Sequence, residues 1–187
     1  DRNKIALQSD LLGANDFDIR AILALTGDPA NMSDQPNSKG VFEANSLMLL
    51  KMIKSFNYGM DFAGRPFKIE PKQIFPFAVV NAYAKNFGSL EKKMHLKIQN
   101  GAVGVITQPV FDIENVKKLL ENFENAKENV EGDKRKAQLI FGVFPITKLR
   151  TALFLSAQVP GIHVPQFWID ELEKAHNISE EEEYKVG

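Results

Sequence analysis

Four short apolar runs in this chain each lead into side chains that can hydrogen-bond. Ala21 to Leu25 leads to Thr26, Gly27 and Asp28. Phe75 to Ala82 carries Asn81 and is followed by Tyr83. Val103 to Thr107 leads to Gln108 and Asp112, and Leu139 to Phe144 leads to Pro145 and Thr147. Amides, hydroxyls and carboxylates gathered at strand ends suit a flat, heteroatom-rich ligand held by directional contacts. Asp28 precedes Pro29 and a polar loop that reaches Gly40 with hardly any large apolar side chain. Spacing alone leaves two readings of Asp28 open, a turn residue before proline or a site residue at a strand exit. Asp112 and Thr147 read as helix caps.

Other chemistries lack their residues. There is no GxGxxG and no P-loop, and "GSLEKK" and "NGAVG" hold too few glycines to cradle phosphate. His95, His163 and His176 are too scattered to propose a metal site; His95 reads as a helix-surface residue and His163, between Pro160 and Pro165, as a packed loop residue. The absence of cysteine removes disulfides, thiolate nucleophiles and Cys-ligated zinc, and is compatible with a cytosolic protein. The 14 phenylalanines sit mostly at core spacing.

These exits need elements to hold them. Asn3 to Asn15 is predicted as an amphipathic helix. Leu47 to Phe56 is predicted as a helix capped by Asn45 or Ser46. Leu90, Met94 and Ile98 fall at i, i+4 and i+8 of another, ended by Asn100-Gly101. Ile113, Val116, Leu119, Leu120 and Phe123 line a helix after Asp112, and Glu124 to Arg135 reads as a charged connector. Thr147 opens the next helix, Gln166 to Ala175 forms a last one behind Pro165, and "EEEEYKVG" reads as a solvated tail. The strands show little alternation and are expected to be buried on both faces. Alternating strands and helices predict an α/β fold with parallel strands and crossover helices. The pattern alone leaves a doubly wound sheet and part of a (β/α)8 barrel open, and in both the chemistry sits at the carboxyl ends of strands.

The 187 residues carry a net charge of −1, which gives no reason to expect nucleic acid or an anionic membrane as partner. No apolar run approaches the ~20 residues of a membrane span. The sequence opens at Asp1, inside what already reads as a helix, and is expected to be a piece of a longer protein.

The motifs "LALTGDP", "GVITQPVFD", "PITKLR" and "VPGIHVP", in that order, resemble those of methylenetetrahydrofolate reductases, from Arg2 to about Trp168. The loop "GDPANMSDQPNSKGVFEANS" is similar to the bacterial branch that includes fusions to a homocysteine methyltransferase domain. The resemblance implies that residues 1–187 are a partial (β/α)8 TIM barrel domain, roughly strands four to seven with their helices, without the N-terminal strands and the last strand. It implies FAD as cofactor, NAD(P)H as hydride donor and 5,10-methylenetetrahydrofolate as substrate, reduced to 5-methyltetrahydrofolate in cytoplasmic one-carbon metabolism on the way to methionine. A homo-oligomer and a fused or associated homocysteine methyltransferase are compatible with it.

The same resemblance gives residue roles. Asp28 matches the family aspartate near flavin and folate, and so takes a catalytic role. Leu25 and Thr26 match strand-end residues that line the flavin. Asn81 falls beside the flavin, and Lys97, in "LKIQNGA", near the FAD phosphates. Gln108 matches the glutamine that pairs with the pterin, and Leu149 stands where some members pack a Phe on the substrate. Ala30 and Ser33 depart from the Pro and Gly often seen after "GDP", and Ala82 from a common Pro. The family's general acid, a glutamate on the first strand, has no counterpart here. The chain alone is therefore expected to be inactive, and a non-catalytic half-barrel that binds folate, flavin or a partner is the alternative.

Overall fold

A computed structural model describes residues 2–30, 33–35, 37–128, 130, 132, 136–159 and 161–187. The elements run α1 (Lys4–Asp16), β1 (Ala21–Ala24), α2 (Ser46–Asn57), β2 (Phe75–Val80), α3 (Phe87–Gln99), β3 (Gly104–Pro109), α4 (Ile113–Glu128), β4 (Gln138–Gly142), α5 (Leu149–Gln158), α6 (Gln166–His176) and α7 (Glu180–Val186). The strands form one four-stranded sheet in the order β1-β2-β3-β4, and every pairing is parallel. Alternating parallel strands and helices make an α/β fold compatible with part of a TIM barrel.

The helices begin where side chains satisfy their free amides. Asn3 accepts from Ala6 N–H, Asn45 from Met48 N–H and Asn86 from Ser89 N–H. Asp112 accepts from Asn115 N–H at 2.7 Å, as expected of a cap. Thr147 does not cap α5. The helix starts at Leu149, Lys148 gives no side-chain cap, and Leu149 N–H donates instead to Glu183 of α7. The segment read as a solvated tail is therefore a helix that docks, and its Glu183 is buried. That backbone hydrogen bond, helped by His176, holds the Glu183 carboxyl below its ordinary range. The stretch read as a charged connector is helical as far as Glu128, since Ala126 is buried on the apolar side of α4.

One face of the sheet carries the core. Register places Ala24 beside Ala78, and these small residues let Leu50 of α2 pack directly on the strands. Val80 and Val105 sit under Leu90, Met94 and Ile98 of α3 and Leu119 and Phe123 of α4. Burying each such side chain stabilises the fold by about 1.5–3 kcal/mol. Two asparagines fasten the approach to β2 by imitating a strand partner. Asn57 accepts from Ile74 N–H and donates to Ile74 C=O, and Asn15 does the same at Lys72.

The other face departs from the expectation of strands buried on both sides. The helices cover one face alone, and Leu23, Phe75 and Ile140 are 42, 44 and 40% exposed. Phe77 lies over Gly104 on this face, where a Cβ would come within 2.6 Å of its ring. Among the described residues, β1 and β4 each have a strand on one side only. A parallel sheet with an open apolar face and two free edges is prone to associate. The 187-residue chain is expected to form concentration-dependent oligomers at micromolar concentrations, seen by light scattering; a monomer that persists for days would contradict this.

Candidate functional site

Parallel pairing sends all four strands out at one edge. Leu25, Thr26 and Asp28 follow β1, Asn81 and Tyr83 follow β2, and Gln108 is the penultimate residue of β3. Leu25 is 55% exposed. Thr26 accepts from Ser46 N–H at 3.1 Å, tying the β1 exit to the start of α2. Leu25 and Thr26 border a cleft with Phe42, Asn45 and Leu49. Asp28 is exposed and makes no hydrogen bond or ion pair with any described residue. Among the described residues it closes no Asx turn onto the backbone after it, the bond expected of a plain turn aspartate.

The β3 exit is built around an irregularity. Ile106 pairs with Ile140 but Pro109 with Gly142, so β3 holds one residue more than β4 over that span. An extra residue re-aims the side chains at a strand end. Thr107 stabilises the kink by accepting from Gly142 N–H. Gly142 must be glycine, because a Cβ there would lie 2.7 Å from the Thr107 carbonyl. Gln108, next in the bulge, is half-buried, and its Oε1 is buried with no hydrogen-bond partner among the described residues. A buried amide carbonyl left unpaired is costly, and such an acceptor is where a ligand donor would be rewarded.

Tyr83 ties three loops together. Its phenol donates to Asp112 Oδ2 and accepts from Phe111 N–H, both at 2.8 Å. Trp168 Nε1 donates to Phe111 C=O, and the His163 ring lies 4.9 Å from the Tyr83 ring. Asn115 donates to Ala82 C=O beneath them. Burial pushes the Tyr83 phenol above its ordinary range; the Phe111 N–H opposes this and the Asp112 carboxylate adds to it. The hydroxyl thus keeps its proton and serves as a donor.

Lys97 lies on α3 and donates to the Val79 carbonyl of β2. It lines a cleft of about 570 Å³ with Asn81, Asn86, Ser89, Lys85 and Lys93. Desolvation, then the charge of Lys93, holds its pKa below the ordinary lysine value. Three ammonium groups with amide and hydroxyl donors at the start of α3 suit an anion such as phosphate.

The structure therefore brings Asn81 and Lys97 into one cleft and Leu25 and Thr26 into another. Gln108 stands two strands from β1, about 10 Å at the usual strand spacing. Leu149 packs with Phe111 and Trp168 in the cluster formed by α5, α6 and α7.

A family model described as methylenetetrahydrofolate reductase matches residues 1–187, the whole chain. The chain belongs to the methylenetetrahydrofolate reductase family. Among curated proteins no relative matches it. Membership in this reductase family supports an oxidoreductase role in folate metabolism. Within that frame the sequence reading missed Lys85 and Lys93, the partners of Lys97, and the junction of Tyr83 with His163. The spacing of Lys93 and Lys97, one helical turn apart, was the available signal.

Removing the Tyr83 hydroxyl leaves Phe111 N–H and Asp112 without their shared partner. Tyr83→Phe is expected to lower stability by about 1–3 kcal/mol, measured by urea unfolding. An unchanged midpoint would show that the junction holds without the hydroxyl.

Proposed function

We propose that the chain supplies roughly strands four to seven of a (β/α)8 barrel that reduces 5,10-methylenetetrahydrofolate to 5-methyltetrahydrofolate with FAD and NAD(P)H. The observation that carries this reading is the delivery of Asp28, Asn81 and Gln108 to one sheet edge beside the lysine-lined cleft. The residues present fit the cofactor, since a half-buried ammonium flanked by Lys85, Lys93 and Ser89 is a donor set for a diphosphate. FAD, when bound, would supply the hydride relay between NAD(P)H and the folate. Lys97 would neutralise its phosphates, while Asn81, Leu25 and Thr26 would line it. Gln108 offers a donor and an acceptor to the pterin edge, and Leu149 would pack on the substrate. Asp28 would place a negative charge where it disfavours further negative charge, and so favour departure of hydride toward the folate. Cytoplasmic one-carbon metabolism leading to methionine, and a fused or associated homocysteine methyltransferase, belong to the same reading.

Asp28→Asn keeps size and hydrogen-bonding capacity but removes the charge. In a protein with the complete barrel it is expected to leave FAD bound and to slow hydride transfer to the folate about 30- to 1,000-fold, the equivalent of ~2–4 kcal/mol. Stopped-flow kinetics of the two half-reactions measure this. Unchanged transfer to folate together with a lower melting temperature would make Asp28 structural.

Lys97 gives a pH dependence of known sign. Its charged form binds the anion, and its pKa is lowered. Affinity for ADP is therefore expected to fall as pH climbs, beginning below the ordinary lysine range. Lys97→Met is expected to weaken ADP binding and to remove this part of the pH dependence, measured by calorimetry.

The open apolar face with Leu23, Phe75 and Ile140 favours a second reading, a half-barrel that binds a partner, folate or flavin without turnover. FAD titration followed by an NAD(P)H oxidation assay on a protein with the complete barrel separates the two.

A further inference from the structure

We propose that Gly161 is a positioning residue for the Gln108 amide, and that its lack of a side chain fixes where that amide presents its donor and acceptor. The inference rests on Gln108 being the pterin contact and extends it to the loop between α5 and α6. Gly161 has φ of +82°, and a Cβ on it would lie 2.5 Å from Gln108 Nε2, 3.1 Å from Oε1 and 3.2 Å from Cδ. The carboxamide therefore rests against the bare Cα of Gly161. Contacts below 3 Å force something to move.

The loop is the pinned side of this contact. Ile162 N–H donates to Val159 C=O, closing a turn with Gly161 in its third position, where positive φ favours glycine. Val164 is buried, and Val159 and Ile162 pack into the same apolar cluster as Leu155 and Leu172. His163 lies on the Tyr83 ring. The amide is the free side, because it ends a flexible side chain and its Oε1 has no partner among the described residues. A methyl at position 161 therefore displaces the amide, and it also adds backbone strain at a positive φ. The displaced amide can no longer offer its donor and acceptor as an aligned pair to a heterocycle edge.

The test uses the 187-residue chain with 5-methyltetrahydrofolate as probe, and compares wild type, Gly161→Ala, Gln108→Ala and the double variant. In the ligand-free chain, the side-chain amide resonances of Gln108 are expected to shift in Gly161→Ala. In calorimetric titration, Gly161→Ala is expected to weaken folate binding about tenfold, the loss of a paired hydrogen-bond contact. In the Gln108→Ala background the same change is expected to alter affinity less than about twofold, because the group it acts through is gone. Unmoved Gln108 resonances overturn the proposal, as does an equal loss with and without the Gln108 amide. Shifted resonances with folate affinity indifferent to Gln108→Ala overturn the pterin role of Gln108 and leave the positioning role standing. Should Gly161→Ala fail to fold, Gly161→Asn carries the same Cβ on a residue that tolerates positive φ. Restored folding of Gly161→Ala by Gln108→Ala would support the contact, and a folded Gly161→Asn variant with unmoved Gln108 resonances would overturn it.

Discussion

The parallel pairing of β2 with β3 is the constraint on which the arrangement depends. Phe77 to Val80 pair in step with Gly104 to Thr107, so both strands release the chain at one edge and at one height. Each return to the start of the next strand takes a helix, and the helices lie on a single face because small and branched residues there accept them. Ala78 and Val105 are fully buried, while Phe77 and Ile106 occupy the face no helix covers. One pairing thus fixes which loops are neighbours, which face is core, and where polar groups can gather without burial.

What this constraint leaves loose, side chains tighten. Beyond the ladder, Tyr83 reaches from the β2 exit to Asp112 and the Phe111 amide at the β3 exit. Trp168 reaches the same segment from α6, and Glu183 of α7 caps α5. The last third of the chain is therefore the brace of the β3 exit. The bulge at Thr107–Gln108 sits inside this brace, and a displaced strand residue needs such support to hold one orientation.

Much of the fold was legible because its signals are local. The i, i+4, i+8 spacing of Leu90, Met94 and Ile98 gave α3, and asparagines before apolar runs gave the starts of α1 and α2. The errors fall where a distant partner decides. Thr147 has the chemistry of a cap, but Glu183, 34 residues away in α7, fills that place. Four consecutive glutamates look like a solvated tail until one of them finds a helix N-terminus and a histidine. The strands lacked alternation, which reads as burial on both faces, whereas only one face is covered. Of the site, the strand-exit residues could be found from type and position; Lys85 and Gly161 could not, since their relevance comes from neighbours far along the chain.

The two strand-exit acids make the same point at the level of single charges. Asp112 and Asp28 are both aspartates just beyond an apolar strand, and nothing in their local sequence separates a structural acid from an available one. In the fold, Asp112 is engaged on both oxygens. Oδ1 accepts from Asn115 N–H and Oδ2 from the Tyr83 hydroxyl. Its charge is committed to the junction, and moving it would release a helix start and a loop together. Asp28 is exposed and has no such partner among the described residues. A carboxylate that no described neighbour pairs with can act on whatever binds at that edge. The difference between the two acids is therefore one of partnership, and it emerges only when the β2 and β3 exits are brought side by side.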